Sequence, residues 1–461
     1  MTTDPALPRV PTPPESPADA ALESSDPAAL VVPPFVRLAL DAADLGGDGQ
    51  PDPHADLRAR ARTAFEAAGL PSRRHEAWKY TDLRPALLPD YALAAAPAPL
   101  DAAALAPFAI DGLDAARLVV VDGHVQPHLS DLDGLPEGVV VGSLAEAVAA
   151  GHPATAHLGR HADPAADAFT ALNTQSRLDG VFVHVPRGVA AERPIHVVHL
   201  QTAARPTFVQ TRSLVVVDDA AQATIVETYG SLADAPAATF RNDVTELVAG
   251  RSAVLRHVRV QNEGDAAHGV SRVQTWQDAD ATVETLTFTF ASGMLRNHVA
   301  MTPAGLGGQS TLAGLYICHG TQHVDTSTLV DHVAPGCQSN ELFKGIVYDR
   351  AVGVFNGKVF VRREGQQTNA YQQSQGVVLS PTAKHYSKPE LEIYADDVKC
   401  SHGSTTGAVV PEHVFYLRSR GVSERDARAM LLYAFAHDVV EMVPLEPLRD
   451  HLDRLIAARL T

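Results

Sequence analysis

The chain has 461 residues, of which 45% are hydrophobic, so it can bury a substantial core, and a single small bundle is excluded in favour of more than one domain. Thirty-seven basic residues stand against 54 acidic ones, and the net charge of -17 argues against a broad phosphate-binding surface, so nucleic acid is not an expected partner. The three cysteines, Cys318, Cys337 and Cys400, are too few for a disulfide framework and fit a reducing compartment.

The first 34 residues are rich in proline, alanine, serine and aspartate and show no apolar periodicity. Such a segment cannot bury enough surface to offset the entropy of ordering, so residues 1–34 are predicted to be a disordered tail. They lack a basic stretch followed by an apolar one, and no later run reaches the roughly 18 apolar residues that a membrane span needs. The expected location is therefore cytoplasmic, with no membrane as a partner.

Residues 35–165 have a mixed pattern that predicts a helix-rich α/β cap. Residues 57–70 show helical spacing of apolar side chains, whereas residues 117–125 alternate as a short β-hairpin does. The aromatic segment HEAWKY, at 75–80, is interpreted as an anchor for this cap, because amphipathic aromatic residues serve packing more often than they form sites.

Residues 166–410 carry short β-branched runs separated by Asp, Asn and Gly turns, with almost no helical periodicity. The runs include VFVHV, IHVVHL, SLVVVDD and VETLTFTF. Evenly spaced strands of this kind predict either a solenoid or a sandwich, and the spacing alone does not choose between them.

Residues 411–461 return to a helical period, and two helices are predicted there. Ser423 is the predicted N-cap of the first helix, and Pro444 is predicted to end it. The predicted apolar stripe of this helix consists of Ala427, Met430, Leu431, Ala434 and Phe435. The second helix places one apolar face toward a neighbour, formed by Leu448, Leu452, Leu455 and Ile456.

The segment 394–421, YADDVKCSHGSTTGAVVPEHVFYLRSRG, combines a thiol and an imidazole close to a strand-to-helix boundary. If Val398–His402 is extended, Cys400 and His402 project from the same face of the strand. This pair suits iron or zinc, but two ligands do not complete a site, so the others would come from elsewhere, such as a second chain. Spacing alone favours the plainer alternative, in which Cys400 is a small buried residue and His402 a hydrogen-bonded turn residue.

A second group of residues with ligand-type side chains lies between 318 and 337. Its members are Cys318, His319, His323, Asp325, His332 and Cys337. Their spacings match no closed zinc motif, and adjacent side chains point to opposite faces of a strand, so ordinary polar and core roles are favoured. A metal role stays open because residues one coil apart stack in a solenoid.

Eight segments occur in an order that is characteristic of one family. They are HEAWKYTDL (75–83), LNTQSRLDGVFVHVPRGV (172–189), HVDTSTLVDHVAPGCQSNELFKG (323–345), GVFNGKVFV (353–361), TNAYQQSQGVVLS (368–380), KPELEI (388–393), VKCSHG (398–403) and FYLRSRG (415–421). Together they resemble the SufD branch of the SufB/SufD family, which belongs to the SUF iron–sulfur cluster assembly scaffold. The resemblance runs from about residue 72 to the end. A SufB-type paralogue is the nearest alternative, although that branch usually differs where this chain reads KCSHG.

The resemblance implies a mainly β fold, with a right-handed parallel β-helix at 166–410 between the helix-rich cap and C-terminal helices at 411–461. It implies a non-catalytic subunit that pairs with SufB through the end of the β-helix and docks SufC, an ABC-type ATPase, on the terminal helices. His402 is the implied metal ligand shared with SufB, and Cys400 is a secondary candidate. The cluster would be transient, with no cofactor tightly bound to the isolated chain, and reduced flavin binding by the complex is left open.

Catalytic alternatives fit the residues poorly. The segments GVFNGK (353–358) and AGLGGQS (304–310) lack the spacing of phosphate-binding and dinucleotide-binding loops. Parallel β-helices also include calcium-dependent polysaccharide lyases, which need converging carboxylates, whereas Asp396 and Asp397 are adjacent and would diverge on a strand. A lyase and a stand-alone metalloenzyme using Cys400 and His402 remain the alternative hypotheses.

Overall fold

Two ten-stranded β-sheets form the body of the protein, with helices at both ends of the chain. The computed structural model describes residues 30–42, 53–94, 100–176, 179–202, 205–232 and 237–460. Residues 1–29 of the predicted disordered tail therefore lie outside the described residues. Its last residues are ordered, because Leu30 forms an antiparallel bridge with Leu70 and the first helix begins at Pro34.

The α-helices are α1 (Pro34–Ala42), α2 (Ala55–Ala68), α3 (Leu144–Ala149), α4 (Ala168–Ser176), α5 (Pro411–Ser419), α6 (Glu424–Val440) and α7 (Glu446–Leu460). The strands up to residue 201 are β1 (Ala92–Leu93), β2 (Ala116–Val121), β3 (His124–Val125), β4 (Val140–Ser143), β5 (Val181–Val185) and β6 (Ile195–Gln201). The long strands that follow are β7 (Thr207–Val217), β8 (Gln222–Ser231), β9 (Thr239–Ala249), β10 (Val254–Asn262), β11 (Ala267–Gln277), β12 (Thr282–Ala291), β13 (Met294–Pro303), β14 (Gln309–Cys318), β15 (His323–His332), β16 (Gln338–Val347), β17 (Val352–Val361), β18 (Thr368–Val378), β19 (Lys384–Ile393) and β20 (Val398–Gly407).

From β5 onward the chain alternates between the two sheets. Odd-numbered strands join the first sheet and even-numbered strands join the second, and from β7 onward each pairs in parallel with the strand two places earlier. The predicted parallel β-helix is thereby confirmed, and the sandwich is excluded because its sheets are antiparallel. Left-handed backbone recurs at the corners between strands, at Ala220, Ser252, Asp280, Asp349 and Gln367.

Apolar and charged side chains share the interior of the solenoid. One apolar cluster runs through successive coils, from Val183 through Leu247 to Phe355. The coils of β8, β9 and β10 also hold ion pairs, in which Arg259 Nη2 lies 2.8 Å from Asp243 Oδ2 and its Nε lies 3.1 Å from Glu227 Oε2. Burial of these charges is tolerated because each one has an opposite charge beside it.

The predicted cap contributes strands to both sheets as well as helices. The hairpin predicted at 117–125 is confirmed as β2 and β3, and β2 continues the second sheet beside β6. The helix predicted at 57–70 is confirmed as α2. HEAWKY lies outside the first sheet, where Trp78 is buried against Phe169 and under the guanidinium of Arg296, with its ring centroid 5.7 Å from that of Phe169 and 4.3 Å from the guanidinium carbon.

The C-terminal helices cover the outer face of the second sheet. Ser423 caps α6 as predicted, because its hydroxyl accepts the backbone N–H of Asp426 at 3.1 Å. The predicted stripe of α6 is wrong in part, since Met430 is 52% exposed and Ala434 is also exposed. The helix instead buries a set of apolar residues against the sheet, formed by Ala427, Leu432, Ala436, Val439 and Val440. The separate helix α5 was not expected from the sequence.

Among the described residues, no helix combines the length and the apolar character that a membrane crossing requires.

Candidate functional site

At the C-terminal end of the solenoid, the last strand of each sheet is paired along one edge only, among the described residues. β19 pairs with β17 and β20 pairs with β18, and no strand among the described residues pairs with their other edges. The backbone N–H and C=O groups along those edges are therefore available to another chain. We call β19 and β20 the open end.

Cys400 and His402 lie on the inner face of β20, as their spacing on an extended segment requires. Side chains two apart share this face, and the same face includes Ser404, whose hydroxyl donates to that of Ser387 on β19 at 2.8 Å. That contact crosses the interior between the sheets. The thiol and the imidazole thus point into the mouth of the solenoid at its open end.

The two side chains differ in how readily they can bind a metal ion. His402 is exposed, whereas Cys400 is half-buried beside Ala370, its partner in the strand register. Burial raises the pKa of the Cys400 thiol above its ordinary value, and a hydrogen bond to the Ala370 backbone offsets a smaller part of that rise. The thiol is therefore protonated near neutral pH, and a metal ion must displace its proton. An imidazole needs only an unprotonated nitrogen, which favours His402 as the first ligand.

A second imidazole, which the sequence did not single out, stands on the opposite wall of the open end. His385 lies on β19, with one ring nitrogen 2.7 Å from the Tyr316 hydroxyl and the other 2.8 Å from the Thr406 hydroxyl. Burial lowers the pKa of His385 to about 4, so the ring is neutral. Because both ring nitrogens have partners, His385 orders the open end and is not an available ligand.

A cleft of about 460 Å³ opens beside His402. It lies on the outer face of the second sheet, lined by Leu342, Tyr371, Gln373 and Met442, and Glu341, Gln372 and His402 belong to the strands that form its floor. Sequence reasoning missed Glu341 and Gln372. The signal for them was their spacing from His402 by about one coil each, which becomes visible only when the length of a coil is known.

The residues with ligand-type side chains between 318 and 337 do not form one cluster, although His323 and Asp325 share a partner in the Thr81 hydroxyl. Cys318 is fully buried in the interior, and His323 lies on the outer face, 2.9 Å from the Thr81 hydroxyl. His332 is back inside, with its Nε2 2.9 Å from the Ser339 hydroxyl. Strand alternation separates them by sending consecutive side chains to opposite faces.

The other members of this group also have protein partners. Asp325 is ion-paired with Arg296, Cys337 donates to a backbone carbonyl at 3.2 Å, and His319 Nε2 lies 3.0 Å from a guanidinium nitrogen of Arg459. Across the part of the chain that the structure describes, no three His, Cys, Asp or Glu side chains form a group that could hold a metal ion. Cys400 and His402 therefore do not complete a ligand set with other described residues.

The two adjacent aspartates considered for calcium binding are not on a strand. Asp396 and Asp397 are exposed in the turn between β19 and β20. The backbone N–H of Asp397 donates to the Gln366 side chain at 3.0 Å, which fixes the turn. The expected strand setting is wrong because the chain changes sheets at this point.

The fold and this arrangement define a β-solenoid protein that presents a thiol and an imidazole at an end of its sheets where the described strands are unpaired. Two protein-family models match this chain and define its family. Residues 42–197 match the SufBD protein N-terminal region, and residues 199–435 match the SufBD core domain of SUF system FeS cluster assembly. The chain belongs to the SufBD family.

Individual relatives agree over most of the chain. An iron–sulfur cluster assembly SufBD family protein of Synechocystis is 34% identical over 85% of this chain and 87% of its own length. The iron–sulfur cluster assembly protein SufD of Escherichia coli is 31% identical over 85% of this chain and 90% of its own length. SufD of Bacillus subtilis is 26% identical over 63% of this chain and 67% of its own length. The predicted relationship is confirmed, and it assigns the chain a role in iron–sulfur cluster assembly.

Proposed function

We propose that the chain is a non-catalytic scaffold subunit that pairs with SufB through the open end and binds the ATPase SufC through α5–α7. The observation that supports this most directly is an incomplete ligand pair, Cys400 and His402, on an unpaired strand edge. A site of this kind gains function when a second chain completes both the sheet and the ligand set. The cluster is then a product assembled at the shared interface and not a resident cofactor.

The exposed strand edges of the open end support the proposed pairing with SufB. The strands β19 and β20 are each ten residues long and largely exposed, and natural proteins seldom leave such edges uncovered. A second solenoid can add a strand to each sheet, which satisfies the free backbone groups and brings its own thiolates opposite His402. Reduced flavin remains a cofactor hypothesis for the assembled complex.

Docking of SufC is assigned to α5–α7 because their outer surface carries large apolar side chains. Phe415 is 73% exposed and Tyr416 is 58% exposed on α5, and the exposed Met430 lies on α6. Aromatic residues and methionine are enriched at the centres of protein interfaces. The three free thiols, at Cys318, Cys337 and Cys400, accord with assembly in the cytoplasm.

The SufB arm is tested by coexpressing the chain with SufB and SufC, purifying the complex anaerobically, and measuring iron and acid-labile sulfide. In His402→Ala the complex should form with little change in melting temperature, because removal of an exposed imidazole costs at most about 1 kcal/mol. Its iron and sulfide contents should fall sharply. His128→Ala, which removes another exposed imidazole far from the open end, is the matched control. A milder loss is expected for Cys400→Ser.

A fully assembled His402→Ala complex with wild-type iron and sulfide would contradict the role of His402 at the interface. The isolated wild-type chain should hold no stoichiometric cluster after anaerobic reconstitution, since one chain supplies too few ligands. Stable cluster absorbance in the purified monomer would favour the alternative of a stand-alone metal protein.

The SufC arm is tested with surface substitutions. Deleting α6 and α7 would uncover the apolar outer face of the second sheet and damage the fold, so truncation gives no clean result. Phe415→Ala combined with Tyr416→Ala should weaken SufC binding by at least tenfold in calorimetry, while the monomer keeps its melting temperature. Leu306→Ala, at a residue 58% exposed in a distant turn, is the control. Undiminished affinity of the double variant would place the SufC surface elsewhere.

A further inference from the structure

Three inner-face residues form a row that runs from the interior to the open end. Glu341 on β16 is the register partner of Gln372 on β18, and Gln372 is the register partner of His402 on β20. Register partners on adjacent parallel strands stand about 4.8 Å apart with their side chains on the same face. The next partner inward is Leu312, so the polar row ends there.

The inner two members of the row are already joined. Gln372 Nε2 donates a hydrogen bond to Glu341 Oε2, and both residues are about 3% exposed. The amide oxygen Oε1 of Gln372 is buried and has no hydrogen-bond partner in the described part of the chain, and the same holds for Glu341 Oε1. An unsatisfied buried acceptor is costly, about 1–3 kcal/mol, so the orphaned amide oxygen calls for a physical reason.

A glycine on the facing sheet leaves space for the side-chain amide of Gln372. Gly357 lies on β17, and a Cβ at that position would come within 2.5 Å of Gln372 Nε2. The glycine therefore leaves the room that the amide occupies. With one side against this backbone and its nitrogen held by Glu341, the amide keeps its oxygen without a partner, one register step from His402.

Glu341 differs from several other buried acids in its surroundings. The carboxylate of Glu246, for example, has Arg212 Nη2 at 2.6 Å, whereas no cation is paired with Glu341 among the described residues. An ion pair would neutralise the carboxyl group, but a hydrogen bond to an amide orients it. Glu341 is therefore an acceptor that orients the Gln372 amide, two strands away from the exposed His402.

We propose that Glu341 and Gln372 are positioning residues for His402. The exposed His402 side chain turns inward so that one ring N–H donates to Gln372 Oε1, across the same step of the register that already joins Gln372 to Glu341. Glu341 holds the amide so that its oxygen, and not its nitrogen, faces the ring. The tautomer of His402 is thereby fixed, and its other ring nitrogen carries the lone pair toward a ferrous ion or another divalent transition-metal ion at the interface. Metal-binding histidines commonly depend on such an acceptor.

The effect on metal binding rests on the proposed function of His402. The first test, however, measures the tautomer of His402 and does not require cluster assembly. The full-length chain is labelled with ¹⁵N-histidine, and the ring nitrogens of His402 are assigned by their loss in His402→Ala. At pH 8.5, where an ordinary imidazole is neutral, the wild type should show two widely separated ring-nitrogen shifts, typical of one tautomer. In Gln372→Leu the two shifts should move toward each other as the tautomers exchange.

Gln373→Leu is the matched control, since Gln373 is the neighbouring residue on the same strand but faces outward. Its His402 shifts should equal those of the wild type. Glu341→Met combined with Gln372→Met removes both hydrogen-bonding partners and leaves no buried polar group unpaired, so this variant should fold even if Gln372→Leu does not. Its two His402 ring-nitrogen shifts should also move toward each other. Unchanged His402 shifts in the folded single or double variant would overturn the inference.

The second readout is metal affinity in the complex with SufB and SufC. Loss of the acceptor should weaken ferrous iron binding by about 10–100-fold, while His402 remains present. The two hypotheses fail separately. If His402→Ala leaves cluster content intact but Gln372→Leu changes the tautomer, the positioning inference stands and the proposed function falls. If His402→Ala abolishes clusters but Gln372→Leu leaves the tautomer unchanged, the reverse holds.

Discussion

Replacement of Glu341 by glutamine should make the protein more stable at neutral and alkaline pH. Burial raises the pKa of Glu341 from 4.5 to about 7, against the smaller opposing effect of the hydrogen bond from Gln372. The folded chain therefore keeps the carboxyl proton until about pH 7, whereas the unfolded chain releases it near pH 4.5. Glutamine imitates the protonated side chain and can still accept the hydrogen bond from Gln372.

The sign and size follow from proton linkage. Between pH 4.5 and 7 the folded state binds more protons at this site than the unfolded state, so the free energy of unfolding falls as pH rises. At about 1.36 kcal/mol for each pKa unit, the penalty grows from roughly 1 kcal/mol at pH 5 to about 3 kcal/mol at pH 8. The Glu341→Gln variant lacks this group, so its advantage over the wild type should grow by about 2 kcal/mol across that range.

Urea unfolding followed by far-ultraviolet circular dichroism at pH 5, 6, 7 and 8 measures this difference. Other titrating groups are common to both proteins and cancel in the comparison. Glu364→Gln, at an exposed glutamate in the turn before β18, is the control and should show no trend. A constant difference between wild type and Glu341→Gln over the whole range would refute the argument that burial keeps this carboxyl group neutral.

Three further predictions concern stability, each checked by the midpoint of urea unfolding. Ser423→Ala removes the N-cap of α6 and should cost about 1 kcal/mol. Arg259→Met leaves Asp243 with one fewer cation in the interior and should cost about 3–5 kcal/mol, because removal of one partner strands a buried charge. Gly357→Ala places a methyl group where the amide of Gln372 lies, and should cost about 1–3 kcal/mol through overpacking.

The outcomes that would contradict these predictions are distinct. Equal stability of Ser423→Ala and the wild type would mean that the first turn of α6 finds another acceptor. A loss below about 1 kcal/mol in Arg259→Met, comparable with that of an exposed control such as Arg428→Met, would mean that the interior is wetter than its burial indicates. A Gly357→Ala variant as stable as the wild type would mean that the Gln372 amide and the Phe355 ring, 2.5 and 2.6 Å from the added methyl group, both move aside at little cost.

Several elements follow directly from local patterns in the sequence. The alternation at 117–125, the helical spacing at 57–70 and the serine before α6 each depend on neighbours within a few residues, and all three are confirmed. The setting of Asp396 and Asp397 is wrong because a local pattern does not show where the chain leaves a sheet. The buried face of α6 was misjudged for a related reason, since Met430 and Leu432 are both apolar and only the sheet beneath the helix selects Leu432.

The candidate site divides in the same way. The shared face of Cys400 and His402 follows from the two-residue period of a strand, which the sequence carries by itself. Their place at the unpaired end of both sheets requires the count of coils, and the row from His402 to Glu341 requires the register of three parallel strands. Register depends on corner geometry and on side-chain packing across coils of about 30 residues, and no single local pattern contains it.

The sequence by itself determined the family, the strand-rich middle of the chain, the terminal helices and the pair of residues at 400 and 402. Those features depend on residue types and short spacings. The family resemblance also implied the parallel β-helix, but only the tertiary structure decided that β19 and β20 are left unpaired by the described strands, and that a buried carboxyl group and amide stand behind His402. These depend on contacts between residues far apart in the chain, which form only when successive coils stack and bury each other's inner faces.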